Sequence, residues 1–206
     1  MAATKKCYIL DCLVRTMARP KEFSVEEALE LGMHLLWSQG YEGTSLADLI
    51  STMHLSKSSF YDTFGSKHNF LLTALTHYSD VIVGQIAGDL QKGSAWAAIS
   101  RSFDLALNPP GKWPRGCFIQ NCAVELAHRD PRARAGVRKG FKRLEQGYYQ
   151  AVIRGQENGE FARTQDAHAL GRYLASSLNG LQVLARAGIE DRALREVVQV
   201  TLAALK

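Results

Sequence analysis

The stretch L55-SKSSFYDTFGS-K67 decides how this chain folds. Ser56, Lys57, Ser58 and Ser59 crowd its front, while Phe60 and Phe64 fall four residues apart. That spacing puts both rings on one face of a short helix, with the small polar side chains at its N-terminal turn. Ser56 supplies an N-cap and Gly65 a stop, so a helix is expected from Ser56 through Phe64. The aromatic back would anchor the helix. The polar front, near free backbone N–H groups and the positive end of the helix dipole, suits base edges and phosphates.

Upstream, Ser-Val-Glu-Glu from Ser24 has the form of a capping box. Val25, Ala28, Leu29, Gly32 and Leu36 then trace one apolar face up to Gly40. Tyr41 to Gly43 forms a turn, and Thr44 or Ser45 caps a second helix over LADLISTM, with Leu46, Leu49, Ile50 and Met53 inward. His54 fills the next turn, where positive φ is expected. Three short helices with a four-residue turn before the third describe a helix-turn-helix module. Ser66 begins a longer helix to about Gln91, and further helix signals cover 94–107, 117–128, 131–157, 166–187 and 191–204. NPPGKWPRG, from Asn108 to Gly116, is the conspicuous break. Strand signals are nearly absent, so the fold class is all-α: an N-terminal three-helix domain and a larger helical bundle, about nine helices together.

Composition sets limits. The 206 residues are 46% hydrophobic and 22% charged, which suits a soluble globular protein. Apolar runs break well before the roughly 18 residues of a membrane helix, and the first 20 residues lack a secretory pattern, so a cytoplasmic location is expected. The four cysteines then read as free thiols. Net charge is +5, yet residues 18–68 hold four basic against seven acidic side chains. Bulk charge therefore carries no argument for nucleic acid; a few placed cations must do so, with Lys5, Lys6, Arg15, Arg19 and Lys21 as a possible arm. Residues 1–17 show no helical periodicity and read as an arm, and Met17-ARPKEF has the form of a natural start.

The ordered run GYEGTSLADLISTMHLSKSSFYDTFGSKHNFLLTAL resembles the DNA-binding domain of TetR-type transcriptional regulators. The resemblance covers about fifty residues from Ser24 to Leu75, with His54 departing from the Gly that the family often has in this turn. It implies a domain over 18–67 that binds a double-stranded operator. Tyr61 and Lys67 would hold phosphates, Thr44 would assist at the start of the second helix, and Lys57, Ser58 and Ser59 would lie near base edges. It also implies a ligand-binding and dimerisation domain over 68–206, most simply that of a repressor released by a small-molecule inducer.

In ALGRYLASSLNGLQVLARAG the small residues Gly171, Ala175, Ser176 and Gly180 would allow two helices to approach closely, so a homodimer interface is expected from Ala169 to Ala204. RGCFIQNCAVELAHRDP resembles a segment of the NemR-like branch, where a Cys in this place senses electrophiles. A helix N-terminus with Arg115 nearby would lower the Cys117 thiol pKa and favour a reactive thiolate, so a thiol sensor at Cys117 stands as the alternative trigger, beside the plain reading of a small buried residue. Trp96, Phe103, Trp113, Phe118, Tyr148 and Tyr173 are candidate pocket aromatics, with Asn121 or Glu125 orienting a ligand. Cys117 and Cys122 stand roughly 140° apart on a helix, which disfavours a shared metal or disulfide. The basic run from Arg129 to Arg143 reads as a solvated face. No cofactor motif and no nucleophile-base pair is present, so an enzyme is not expected. The reading from another class is a helical interaction module that binds no DNA.

Overall fold

The computed structural model describes residues 24–109 and 116–206. The arm, Trp113 and Arg115 lie outside the described residues. Within them the elements are α1 (Val25–Gln39), α2 (Leu46–Thr52), α3 (Lys57–Phe64), α4 (Lys67–Tyr78), a π-helical turn (Ser79–Val83), α5 (Gly84–Asp89), α6 (Ala95–Leu107), α7 (Phe118–Glu125), α8 (Pro131–Glu157), α9 (Ala167–Arg186) and α10 (Asp191–Ala203). Because α4, the π turn and α5 follow one another without a break, these make nine helical rods among the described residues. No helix among those residues is long and apolar enough to cross a membrane.

Local chemistry sets most boundaries. Ser24, Ser56, Ser66 and Ser94 each accept a backbone N–H three residues on, and Asp130 accepts from Arg132 N and Ala133 N ahead of Pro131 at the first helical position. The reciprocal capping box forms at Ser45 and Asp48: Asp48 N donates to Ser45 Oγ (3.1 Å) and Ser45 N to Asp48 Oδ2 (2.8 Å). After α2, Leu55 N donates to Ile50 O and His54 N to Ser51 O, a Schellman closure with His54 at φ 54°.

Phe60, Phe64 and Phe70 pack ring against ring at 4.9 to 5.9 Å, fixing α3 on the start of α4. The core runs on from there along Leu71, Ala74 and Leu75 into Phe103, Phe118, Ile119 and Tyr148 of the bundle. α8 threads the bundle because its glycines admit neighbours: a Cβ at Gly140 would lie 2.4 Å from Ile119 Cδ1, and one at Gly155 2.2 Å from Phe161.

Three expectations change. The helix from Ser66 does not continue regularly but widens at Ser79–Val83, where Arg143 of α8 donates to Ser79 O (3.2 Å) and Asp80 Oδ1 (2.8 Å). The basic run is not simply a solvated face, since Arg143 braces the π turn and Arg134 holds Ala127 O and His128 O beyond α7. The small residues of α9 do not share one neighbour. A Cβ at Gly171 would lie 3.0 Å from the Tyr149 backbone of α8 and Ala175 is buried, whereas Ser176 is exposed and Gly180 faces open space.

Candidate nucleic-acid interface

The front of α3 is open to solvent. Ser56, Lys57 and Ser58 are exposed, and Ser59 is half-buried. Ser56 Oγ accepts from Ser59 N (3.1 Å) and pairs with the Ser58 and Ser59 hydroxyls at 2.9 and 2.8 Å, so the serines form one preordered polar turn. Phe60 is fully buried behind it, and the Tyr61 ring meets Phe60 edge-on at 6.0 Å while remaining 44% exposed. The tyrosine is thus fixed at its root and free at its hydroxyl. Gly65, at φ 74°, closes α3 and directs the chain into the Ser66 cap.

Thr44 is corrected. It is fully buried and its hydroxyl donates to Gly40 O (2.7 Å), so the exposed hydroxyl at the start of α2 is that of Ser45. Lys67 is half-buried, with its ammonium donating to Tyr41 O (2.5 Å) and lying 4.1 Å from the centre of the Tyr41 ring. It ties α4 to the corner between α1 and α2 and keeps donors to spare. The acidic excess of this region is partly spent internally. Glu42 pairs with Arg129, and the bonds from Ser45 hold the Asp48 carboxyl below its usual range.

The same corner is gripped from the bundle. Glu125, at the end of α7, accepts from Tyr41 N (2.9 Å) and Glu42 N (2.7 Å). Asn121 donates to Trp37 O (3.0 Å), and Arg186 of α9 donates to Trp37 O (3.1 Å) and Ser38 O (3.0 Å), closing the carbonyl end of α1. Asn121 and Glu125 were expected to orient a ligand; they hold the helix-turn-helix instead.

A cavity of about 160 Å³ lies between α1, the α4–α5 rod, α6 and α9. Trp37, Tyr78, Ile82, Ser102, Leu178 and Gln182 are among its walls. None of the expected pocket residues within the described chain is in its lining. Phe103, Phe118 and Tyr148 are fully buried packing groups, with Tyr148 standing one hydrogen bond behind the wall at Ser102 (2.7 Å). Trp96 is half-buried under Lys206, and Tyr173 points outward from α9 at 40% exposure. Cys117 is buried, 3.7 Å from the Tyr78 hydroxyl that donates to its sulfur. Burial pushes its thiol pKa up, outweighing the opposing influence of the nearby Gln120 and Ile119 N–H groups and of the Tyr78 hydroxyl, which reverses the expected depression. The wall residues carried no local signal beyond an apolar face.

Two family models match in succession: "Bacterial regulatory proteins, tetR family" over residues 28–74 and "Tetracyclin repressor-like, C-terminal domain" over 95–201. The chain is 32% identical to the HTH-type transcriptional regulator YezE of Bacillus subtilis, covering 92% of this chain and all of that one. It is 26% identical to the HTH-type transcriptional repressor ComR of Escherichia coli, covering 93% of each. Its fold superposes with a TM-score of 0.80 on the TetR family regulator CifR, a cysteine variant solved on 26-base-pair operator DNA, at 27% identity over 91% of this chain and all of that one. Reduced NemR of Escherichia coli shares the fold at a TM-score of 0.75 and 23% identity, over 88% of this chain and 94% of that one. With a polar recognition turn set on an aromatic base, and both halves matched in order, the chain belongs to the TetR family of DNA-binding transcriptional regulators.

Proposed function

We propose that the protein is a homodimeric repressor that leaves its operator when a small molecule occupies the bundle cavity. The observation that carries this is the position of Trp37. It is a residue of α1 in the helix-turn-helix, its ring walls the cavity, and its carbonyl is held by Asn121 and Arg186 from the bundle. A ligand against that ring acts on the corner that sets α2 and α3. To release the operator it must favour the displaced arrangement by a few kcal/mol.

The division into an arm over 1–17, a DNA-binding domain over 18–67 and a ligand and dimer domain over 68–206 follows the same logic. α9 and α10 support the dimer. Tyr173, Val183 and Leu184 on α9, with Val197 and Val200 on α10, are exposed apolar side chains at helical spacing beside Ser176 and Gly180. A two-fold pairing there would present two α3 helices to successive major grooves. Lys57, Ser58 and Ser59 would face base edges, with Tyr61 and Lys67 on the phosphates.

Fluorescence anisotropy with DNA from upstream of the protein's own gene tests the proposal. Specific binding that weakens with salt is expected, and Tyr61→Ala or Lys67→Ala should weaken it by about tenfold. Absence of salt-sensitive specific binding to that DNA and to a selected library would overturn it.

A further inference from the structure

We infer that the cavity takes a small neutral molecule of single-ring size bearing a hydroxyl or similar donor; this deepens the inducer reading and rests on it. Size comes first. A space of about 160 Å³ matches the order of cavity, roughly 150 Å³, that holds one benzene ring. The Trp37 and Tyr78 rings, edge to face at 5.1 Å, and the side chains of Ile82, Ile86, Ala106 and Leu178 offer apolar surface to such a ring.

Charge comes second. Among the described residues no Lys or Arg lines the cavity, and the nearby Arg186 guanidinium is engaged by the Trp37 and Ser38 carbonyls. An anion would lose its water and meet no cation from these walls. The one carboxylate among the described lining residues, Asp89, already pairs with Lys92 at 2.7 Å, so a cation gains little there.

The polar end is set by Ser102. This side chain is 8% exposed, and its hydroxyl donates to Ile99 O (2.6 Å). Its proton is thereby used, so Tyr148 must be the donor in their 2.7 Å contact. One lone pair is left for the cavity, and it asks for a donor from the ligand. Gln182, also in the wall, can serve either polarity.

Isothermal titration calorimetry on the full chain without DNA, with benzyl alcohol, toluene, benzoate and benzylamine at neutral pH, tests the assignment. The two neutral probes should bind at least about tenfold more tightly than either ion. Ala106→Phe, its fold checked by its thermal transition, should lose the neutral probes because the ring fills the space. Ser102→Ala should weaken benzyl alcohol while sparing toluene, a selectivity that general loosening of the site would not produce. The assignment is overturned if an ion matches the neutral probes, if no probe binds wild type, or if Ser102→Ala weakens both neutral probes alike. Benzyl alcohol binding that leaves operator affinity intact would support the ligand class while removing the inducer reading, so the two fail separately.

Discussion

α3 and α7 are helices of eight residues each, and both open on a small side chain with a light polar atom or sulfur, Ser56 in one and Cys117 in the other. Their N-termini carry the same backbone dipole, yet they do opposite things. Ser56 caps its helix with its own hydroxyl and stands in water among other hydroxyls. Cys117 makes no side-chain cap and is buried against Tyr78. The first N-terminus is available to phosphate. In the second, desolvation outweighs the N–H groups, and the thiol is held protonated.

The sharpest way to break this comparison is to place the same acid at both positions. Asp is a good N-cap, so local propensity alone favours it in both helices. Ser56→Asp should change stability by less than about 1 kcal/mol, because the carboxylate can accept from the donors that Ser56 now serves. Cys117→Asp should cost at least about 3 kcal/mol, since the carboxylate would be stripped of water in a buried site. Urea denaturation of the two variants measures both. Equal effects would mean that burial does not distinguish the two turns.

A smaller effect comes from linkage at alkaline pH. Burial holds the folded Cys117 thiol above its ordinary range, so in alkaline solution the unfolded chain gives up that proton more readily than the native chain does. The native state then binds more protons than the unfolded state, and stability falls as pH rises through and above 9. The stability gap between wild type and Cys117→Ala should therefore narrow as pH rises from 7 to 10. A gap independent of pH would place the folded thiol at an ordinary pKa.

What could be read from the sequence divides along the same line. The caps at Ser24, Ser56, Ser66, Asp130 and Asp166 are local signals, and the helices begin where those residues stand. The recognition turn was legible for the same reason, since its polar front and aromatic back lie within nine residues. Thr44 was not, because two adjacent hydroxyls could each cap α2 and only the extended Ser45 backbone turns one outward and the other in. The π turn is braced by Arg143, 64 residues away from Ser79, and nothing between Ser79 and Val83 announces it. The cavity was least legible. Its walls come from α1, the α4–α5 rod, α6 and α9, and an apolar helical face does not say which part of the space between rods stays empty.

His54 offers the finest test of how far local chemistry governs the DNA-binding half. It holds φ 54° at the close of α2, a conformation that costs a residue with a Cβ about 1 kcal/mol or more. The Schellman bonds from His54 N and Leu55 N involve only backbone, so His54→Gly retains them. Gly relieves the strain but adds freedom to the unfolded chain, so the net gain should be a few tenths of a kcal/mol and not above about 1 kcal/mol. A thermal melt reads that gain, and operator anisotropy on the same variant reads something else. A more stable variant with unchanged operator affinity would show that His54 serves the turn alone. Lower affinity despite the gained stability would instead place the exposed imidazole at the DNA surface, beside the polar front of α3.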